Sequence, residues 1–310
     1  MKIAVLDLGT NTFNLAVGHF VNDHLNILVD IKVPVKLGDA VFRDGEISLS
    51  AQQRAKSALK SHLEVARKHQ VVKIVGVATS AFREANNGQN FIEELNDLNG
   101  LELEIIDGKT EAELIFKSIH YCVHISKPSL IIDIGGGSTE IIYADNTGIK
   151  SFYSHKIGVS ILKKIFAFGD IVSGNDINEV NNSLRLLFKE QIGSIKNLLQ
   201  VNEINLIGSS GAFDTLADIH YFSTNSSNKR PETLSYELNI AAFKKIYAKL
   251  LSSSKNEKLQ TKGLEGFRAE YIIYGMFIVN FILSNFTINK IIQSKYSLKE
   301  GVLLKHLIKI

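Results

Sequence analysis

An α/β fold built twice is the class this sequence predicts, and three observations carry it. Apolar runs of strand length alternate with helix-spaced segments through both halves of the 310 residues. Two segments, "IAVLDLGTNTFNLAV" and "LIIDIGGGSTEIIYA", align on their acids, Asp7 with Asp133, at a separation of 133 − 7 = 126 residues. Each reads as an apolar strand, an Asp, one apolar residue, a Gly, a hydroxyl-rich turn and a second apolar strand. No repeat of 20–50 residues is visible, which disfavours a solenoid.

The elements follow in order. "KIAVLDL" suits a buried strand, and "TFNLAVGHF" and "HLNILVDIKV" continue as a strand meander. The next segment, "SLSAQQRAKSALKSHLEVARKHQ", offers Ser50 as a cap and spaces Ala55, Ala58, Leu59, Leu63 and Ala66 as a helix does. "KIVGVAT" is a strand, "NFIEELNDL" a helix, "LELEIID" a strand and "KTEAELIFKSIHYCV" a helix. The second half opens on the Asp133 hairpin and passes to a helix from about Val159. A single long helix is then expected through "DINEVNNSLRLLFKEQIGSIKNLLQ". "INLIGSSG" is a strand entering a turn, and "AFDTLADIH" starts a helix. "YFSTNSSNKRPETLS" reads as a surface loop, and three more helices follow, with "KIIQSKY" as a strand before the last. Each half is expected to carry a mixed five-stranded sheet.

Composition excludes several function classes. The apolar fraction of 45% and charged fraction of 22% are ordinary for a globular protein. A net charge of +3 does not point to a nucleic-acid partner. Cys122 is the single cysteine, so no intramolecular disulfide forms and a reducing compartment, the cytoplasm, is expected. Asp7 interrupts the apolar start, which predicts no secretory leader. "YIIYGMFIVNFIL" is too short to span a bilayer and is expected to be a buried helix, with no membrane partner.

The two turns carry the chemistry. Glycine lets the main chain approach a ligand closely, and successive N–H groups in such a turn make an anion-binding concavity. Phosphate is expected against Gly135, Gly136, Gly137 and Ser138, and against Gly9, Thr10, Asn11 and Thr12. Acids beside phosphate call for a cation. Mg²⁺, or another hard divalent ion such as Mn²⁺, takes oxygen ligands shared between carboxylates and substrate phosphates. Asp7 and Asp133 stand at matching strand ends, and Glu140 lies seven residues beyond Asp133 on the return strand. A D-x-G turn between strands is also a common structural device, and the duplication is what favours binding.

With those residues in view, the chain resembles the exopolyphosphatase and guanosine pentaphosphate phosphohydrolase (Ppx/GppA) family of the actin-like ATPase superfamily. The matching segments are "DLGTNTFNL", "GVATSAFREANNG", "GKTEAELIF", "LIIDIGGGSTEII", "SHKIGV", "LIGSSGAFDTLA", "RAEYIIYG" and "SLKEGVLL", in the family's order over nearly the whole chain. The resemblance implies two actin-like (ribonuclease H-like) domains, residues 1–126 and 127–310, with a cleft between them and a final helix that can return to the first. It implies Mg²⁺-dependent release of terminal phosphate from inorganic polyphosphate or guanosine pentaphosphate. It makes Glu111 the general base, Asp133 and Glu140 a metal- and water-positioning pair, and Arg83 a phosphate ligand. Without the family, Glu111 would read as a helix-surface acid and Arg83 as a surface ion pair. An arginine suits the second role because its planar fork grips two phosphate oxygens and keeps its charge.

Some segments depart from the family pattern. "IGSSGAF" stands where G-x-G-G-T is usual, with Ser210 for a glycine and Ala212 for threonine. Glu270 and Tyr271 stand where R-A-D-V is usual, and Lys299 where arginine is. The turn change favours polyphosphate over a guanosine substrate. Two rival readings remain open: an actin-like small-molecule kinase, and a phosphate-chain sensor without turnover; a filament-forming relative is disfavoured. A homodimer is compatible with the sequence. His62 and His69 are expected to be solvated rather than metal-bound, and Lys163, Lys164, Lys244 and Lys245 to form solvated helix faces or a path for a polyanion.

Overall fold

The computed structural model describes residues 1–308. Two units emerge from the internal contacts. Unit 1 takes Met1–Ile119, the turn Gly135–Ser138 and the chain from Tyr296 onward; unit 2 takes His120–Ile134 and Thr139–Lys295.

In unit 1 the strands are β1 (Ile3–Leu8), β2 (Thr12–Val21), β3 (His24–Pro34), β4 (Lys73–Ala78) and β5 (Leu103–Ile105). The helices are α1 (Gly38–Asp44), α2 (Leu49–Lys68), α3 (Ser80–Glu84), α4 (Gly88–Asn99) and α5 (Gly108–Cys122), which crosses the unit boundary. The sheet order is β3-β2-β1-β4-β5. β1 pairs antiparallel with β2 and parallel with β4. Central β1 is buried along nearly all its length, whereas edge strand β3 is largely open and alternates, as expected of a strand covered on both faces and of a half-solvated antiparallel one.

Unit 2 holds β6 (Ser129–Ile134), β7 (Thr139–Asp145), β8 (Gly148–His155), β9 (Ile204–Ser209), β10 (Ser235–Leu238) and β11 (Ile288–Ser294). Its helices are α6 (Val159–Ile165), α7 (Gly174–Leu187), α8 (Lys189–Leu198), α9 (Ser210–Thr224), α10 (Ile240–Ser252), α11 (Lys255–Leu259) and α12 (Ile272–Asn285); α13 (Leu298–Leu307) follows in unit 1. The sheet order is β10-β11-β9-β6-β7-β8. Read from its far edge, β8-β7-β6-β9-β11 repeats β3-β2-β1-β4-β5 in order and in strand direction. The duplication seen in two hairpins therefore extends to two whole sheets, and the α/β class is the observed one.

Several elements differ from expectation. The second sheet has six described strands, because β10 adds antiparallel to β11 just after the expected loop. That loop also loses its first residues to α9, which runs to Thr224. The long helix divides at Phe188, a fully buried ring whose φ of −103° and ψ of 9° bend the chain while its hydrogen bonds to Leu184 and Ile192 persist. The cap of α2 is Ser48, whose hydroxyl accepts from Ala51 N–H, and Ser50 lies inside the helix. The short helices α1 and α3 were not legible at all. Helix α12 is buried on nearly every face, and among the described residues no helix is long and apolar enough to cross a membrane.

The core of unit 1 gathers Leu6, Leu8, Leu15, Leu59 and Phe91 around the rings of Phe13 and Phe82, whose centroids are 6.2 Å apart. His62 is fully buried there, not solvated as expected. Its Nε2 lies 3.1 Å from the Phe13 carbonyl oxygen. A carbonyl only accepts, so Nε2 carries the proton, and Nδ1 is left without a partner. Burial holds the ring below the ordinary histidine value of 6.5. The unfolded side chain therefore binds a proton more readily than the folded one, and stability falls as pH drops below 6.5. His155, His220 and His306 are shifted the same way by burial and add to the effect. The thermal midpoint is expected to be lower at pH 5.5 than at 7.5, and His62→Gln to narrow that gap. A gap unchanged by the substitution would assign the loss to other groups.

Candidate active site

The two turns are closed alike. Gly9 N–H donates to the Thr12 carbonyl at 3.1 Å, and Gly135 N–H to the Ser138 carbonyl at 2.9 Å. Both pairs keep the 126-residue offset, since 9 + 126 = 135 and 12 + 126 = 138. The first glycine of each turn thus spends its N–H on the turn itself. Thr10 and Asn11 carbonyls accept from the N–H groups of Val35 to Gly38, which ties the first turn to the β3–α1 connection. Within unit 1 a Cβ on Gly136 would come 2.8 Å from Thr10 Cβ and 2.9 Å from Asn11 Nδ2; on Gly137 it would overlap Phe42 and Ser80. These glycines are required by close approach. The turn is lined by buried hydroxyls at Thr10, Ser80 and Ser138.

Arg83 and Glu111 are brought together across 28 positions of sequence. Arg83, in the last turn of α3, donates from Nη1 to the Ile106 carbonyl at 2.7 Å and to Glu111 Oε2 at 3.2 Å. Glu111 sits in the first turn of α5 and is only 6% exposed. Asp107 starts that helix: its Oδ1 accepts from Thr110 N–H at 2.8 Å, and the hydrogen bonds from Thr110 hold its carboxyl below the usual range. The first turn of a helix favours negative charge, because its N–H groups point toward it. The carboxylate of Glu111 is therefore buried, charge-compensated and held by one Arg nitrogen, while Nε and Nη2 add donors to the same planar group.

In unit 2, strand register sets the second group. Asp133 on β6 is the cross-strand partner of Glu140 on β7, Glu140 is the partner of Ser154 on β8, and Asp133 that of Ser209 on β9. A polar row so crosses four strands. Ser154 Oγ donates to Glu140 Oε1 at 2.8 Å. Ser209 Oγ donates to Asp133 Oδ2 at 2.5 Å, and Ser210 Oγ lies 2.9 and 2.7 Å from Asp133 Oδ1 and Oδ2. Asp133 and Glu140 are 6% and 1% exposed. Like charges directly opposite on a sheet repel, so donors or a cation must hold them. In unit 1 the equivalent position, 140 − 126 = 14, is Asn14, whose Nδ2 donates to Asp7 Oδ2 at 2.8 Å. The first hairpin thus sets an amide donor opposite its acid, where the second sets another acid.

Among the described residues no three of His, Cys, Asp and Glu gather as a set able to enclose a metal ion. A hard divalent cation at a phosphoryl site takes one or two carboxylates and completes its shell with waters and phosphate oxygens. The buried Asp133–Glu140 pair fits that role. Asp7 lies in unit 1, bonded to Asn14.

Ser154, Ser209 and Asn14, which bond these acids, were not among the expected residues, although the offset of 126 pointed to position 14. Ser210 was visible only as a departure. Its φ is +66°, a left-handed conformation that costs a non-glycine residue about 1–2 kcal/mol. The other departures have structural partners. Glu270 bonds Lys255 and Lys163, which draw its carboxyl down to about 2. Lys299 bonds Asp30 and Glu300. Lys163 is thereby an ion-pair member and not simply a solvated face.

Known proteins resemble the chain in sequence and in fold. The chain matches the Ppx/GppA phosphatase family over residues 16–310. It is 27% identical over 307 residues to a Haemophilus influenzae protein provisionally named exopolyphosphatase, covering 97% of this chain and 90% of that one. It is 26% identical to the Vibrio atlanticus guanosine-5'-triphosphate,3'-diphosphate pyrophosphatase, over 96% of this chain but 58% of that relative's length. A crystal structure of an exopolyphosphatase from Cytophaga hutchinsonii superposes with a TM-score of 0.93 at 33% identity, covering 99% of this chain and 98% of that one. By sequence over nearly its full length and by fold, the chain belongs to the Ppx/GppA phosphatase family, hydrolases of phosphoanhydride bonds.

Proposed function

We propose that the chain releases terminal phosphate from inorganic polyphosphate, with guanosine pentaphosphate as a second substrate. The single observation that carries this reading is the buried Glu111 carboxylate at the start of α5, held by Arg83. A buried carboxylate so placed suits removal of a proton from water. Arg83 offsets charge on the transferred group through the donors of its fork. N–H groups of Thr10, Asn11, Thr12, Gly136 and Gly137, with the Ser138 hydroxyl, hold phosphate oxygens, while Gly9 and Gly135 shape the turns. Asp133 and Glu140 would hold a hard divalent cation, Mg²⁺ or Mn²⁺, which would offset charge on the substrate's phosphate oxygens. Phosphoryl transfer needs positioning and charge stabilisation more than covalent help, so preorganised groups suffice. The protein works in the cytoplasm, where Cys122 stays a thiol.

The test is phosphate release from long-chain polyphosphate and from guanosine pentaphosphate, with Mg²⁺ and with chelator. Release is expected from both, faster from polyphosphate, and abolished by chelator. Tight binding of polyphosphate with no release would replace this reading by a sensor.

A further inference from the structure

We infer that Ser209 and Ser210 are positioning residues for Asp133, and that the chain keeps an unfavourable backbone at Ser210 for that purpose; the inference rests on the phosphohydrolase reading above. Two independent local anomalies meet at one carboxylate. Ser209 stands at the N-cap of α9, where a serine side chain ordinarily accepts from a first-turn N–H. It makes no such bond, and its fully buried hydroxyl donates to Asp133 instead. Ser210 adopts φ +66°, which glycine takes without strain and serine does not. Its hydroxyl lies within hydrogen-bond distance of both Asp133 oxygens. A hydroxyl carries one proton, so Ser210 donates to one oxygen or shares the proton between the two.

Glycine would relax the backbone at 210 and could not donate. Serine satisfies the carboxylate and strains the backbone. Residues held against local preference collect where function requires their side chains. The strand register explains the target: Ser209 is already the cross-strand partner of Asp133, and the left-handed turn at Ser210 brings a second hydroxyl to the same group. Glu140 beside it receives the Ser154 hydroxyl, so both carboxylates of the pair are fixed by serines.

A merely structural serine and a positioning serine predict different outcomes. If Ser210 acts structurally, Ser210→Gly lowers stability and touches turnover only through unfolding. If it positions Asp133, the same change leaves the thermal midpoint equal or higher while kcat falls about tenfold, the usual scale for groups that orient a ligating carboxylate. KM should stay within about twofold, because substrate contacts are unchanged. Ser210→Asn, which tolerates the left-handed region and retains an N–H donor, should recover part of the lost kcat. Ser209→Ala should also lower kcat, and the double variant should fall short of the product of the two, since both act through one carboxylate. Turnover of Ser210→Gly within about twofold of wild type overturns the inference. If the wild type releases no phosphate from either substrate, the phosphohydrolase reading falls, and crystal structures of wild type and Ser210→Gly then decide the inference alone. A displaced or spread Asp133 side chain in the variant upholds it, and an unmoved one overturns it.

Discussion

Glu111→Gln is expected to lower phosphate release by about 10²–10⁴-fold, the usual loss when a general base is removed. The substitution conserves shape. A glutamine oxygen can still accept the Arg83 Nη1 hydrogen bond that Glu111 Oε2 accepts at 3.2 Å, and Arg83 keeps the Ile106 carbonyl. The variant should therefore fold, with some loss of stability because a half-buried guanidinium loses its compensating charge. Circular dichroism and the thermal midpoint would establish the fold, and single-turnover phosphate release the chemical step. The loss should appear in kcat and not in KM, since the base acts on water and not on the phosphate chain. A folded variant with wild-type turnover would place the base elsewhere, and Asp133 and Glu140 would be the next residues to change.

Gly301→Val is expected to destabilise the protein by about 3 kcal/mol, at the upper end for overpacking a close contact. Helix α13 lies against α5 at Gly301, where an added Cβ would overlap the backbone carbonyl of Leu114. A backbone atom cannot turn aside as a side chain can. Leu114→Ala should consequently fail to rescue Gly301→Val, which distinguishes this clash from ordinary side-chain crowding. The helix is also fixed by its buried face, Leu298 to Leu304, and by Tyr296, whose hydroxyl donates to the Leu25 carbonyl at 3.4 Å. Leu114 follows Glu111 by three residues on α5. A shift of α5 would move that carboxylate against Arg83, so activity at temperatures where the variant remains folded should fall as well. Urea unfolding would measure the first effect and phosphate release the second; an unchanged urea midpoint would show that the helices separate without cost.

The sequence by itself determined the α/β class, the duplication and most of the helices and strands. These are written locally: a strand needs only its apolar run and a helix only its spacing. The offset of 126 residues was enough to pair Asp7 with Asp133 and to give both turns one design. The chemical identity of the turns was legible for the same reason, because glycines, hydroxyls and acids lie within one hairpin. What the sequence could not supply was which distant side chains meet. Arg83 reaches Glu111 because α3 and α5 follow parallel neighbours β4 and β5. Ser209 faces Asp133 because β9 lies beside β6, an order no local pattern encodes. His62 stands at helix spacing from Ala58, Leu59 and Ala66, so its burial could be read from the sequence, but its bond to the Phe13 carbonyl could not, because that needs α2 docked on β2. The backbone at Ser210 likewise runs against what serine prefers locally, and the tertiary bonds to Asp133 are the contacts that accompany it. Period and composition fix the face on which a residue lies; strand order and helix docking fix its neighbour, and the proposed chemistry rests on those neighbours.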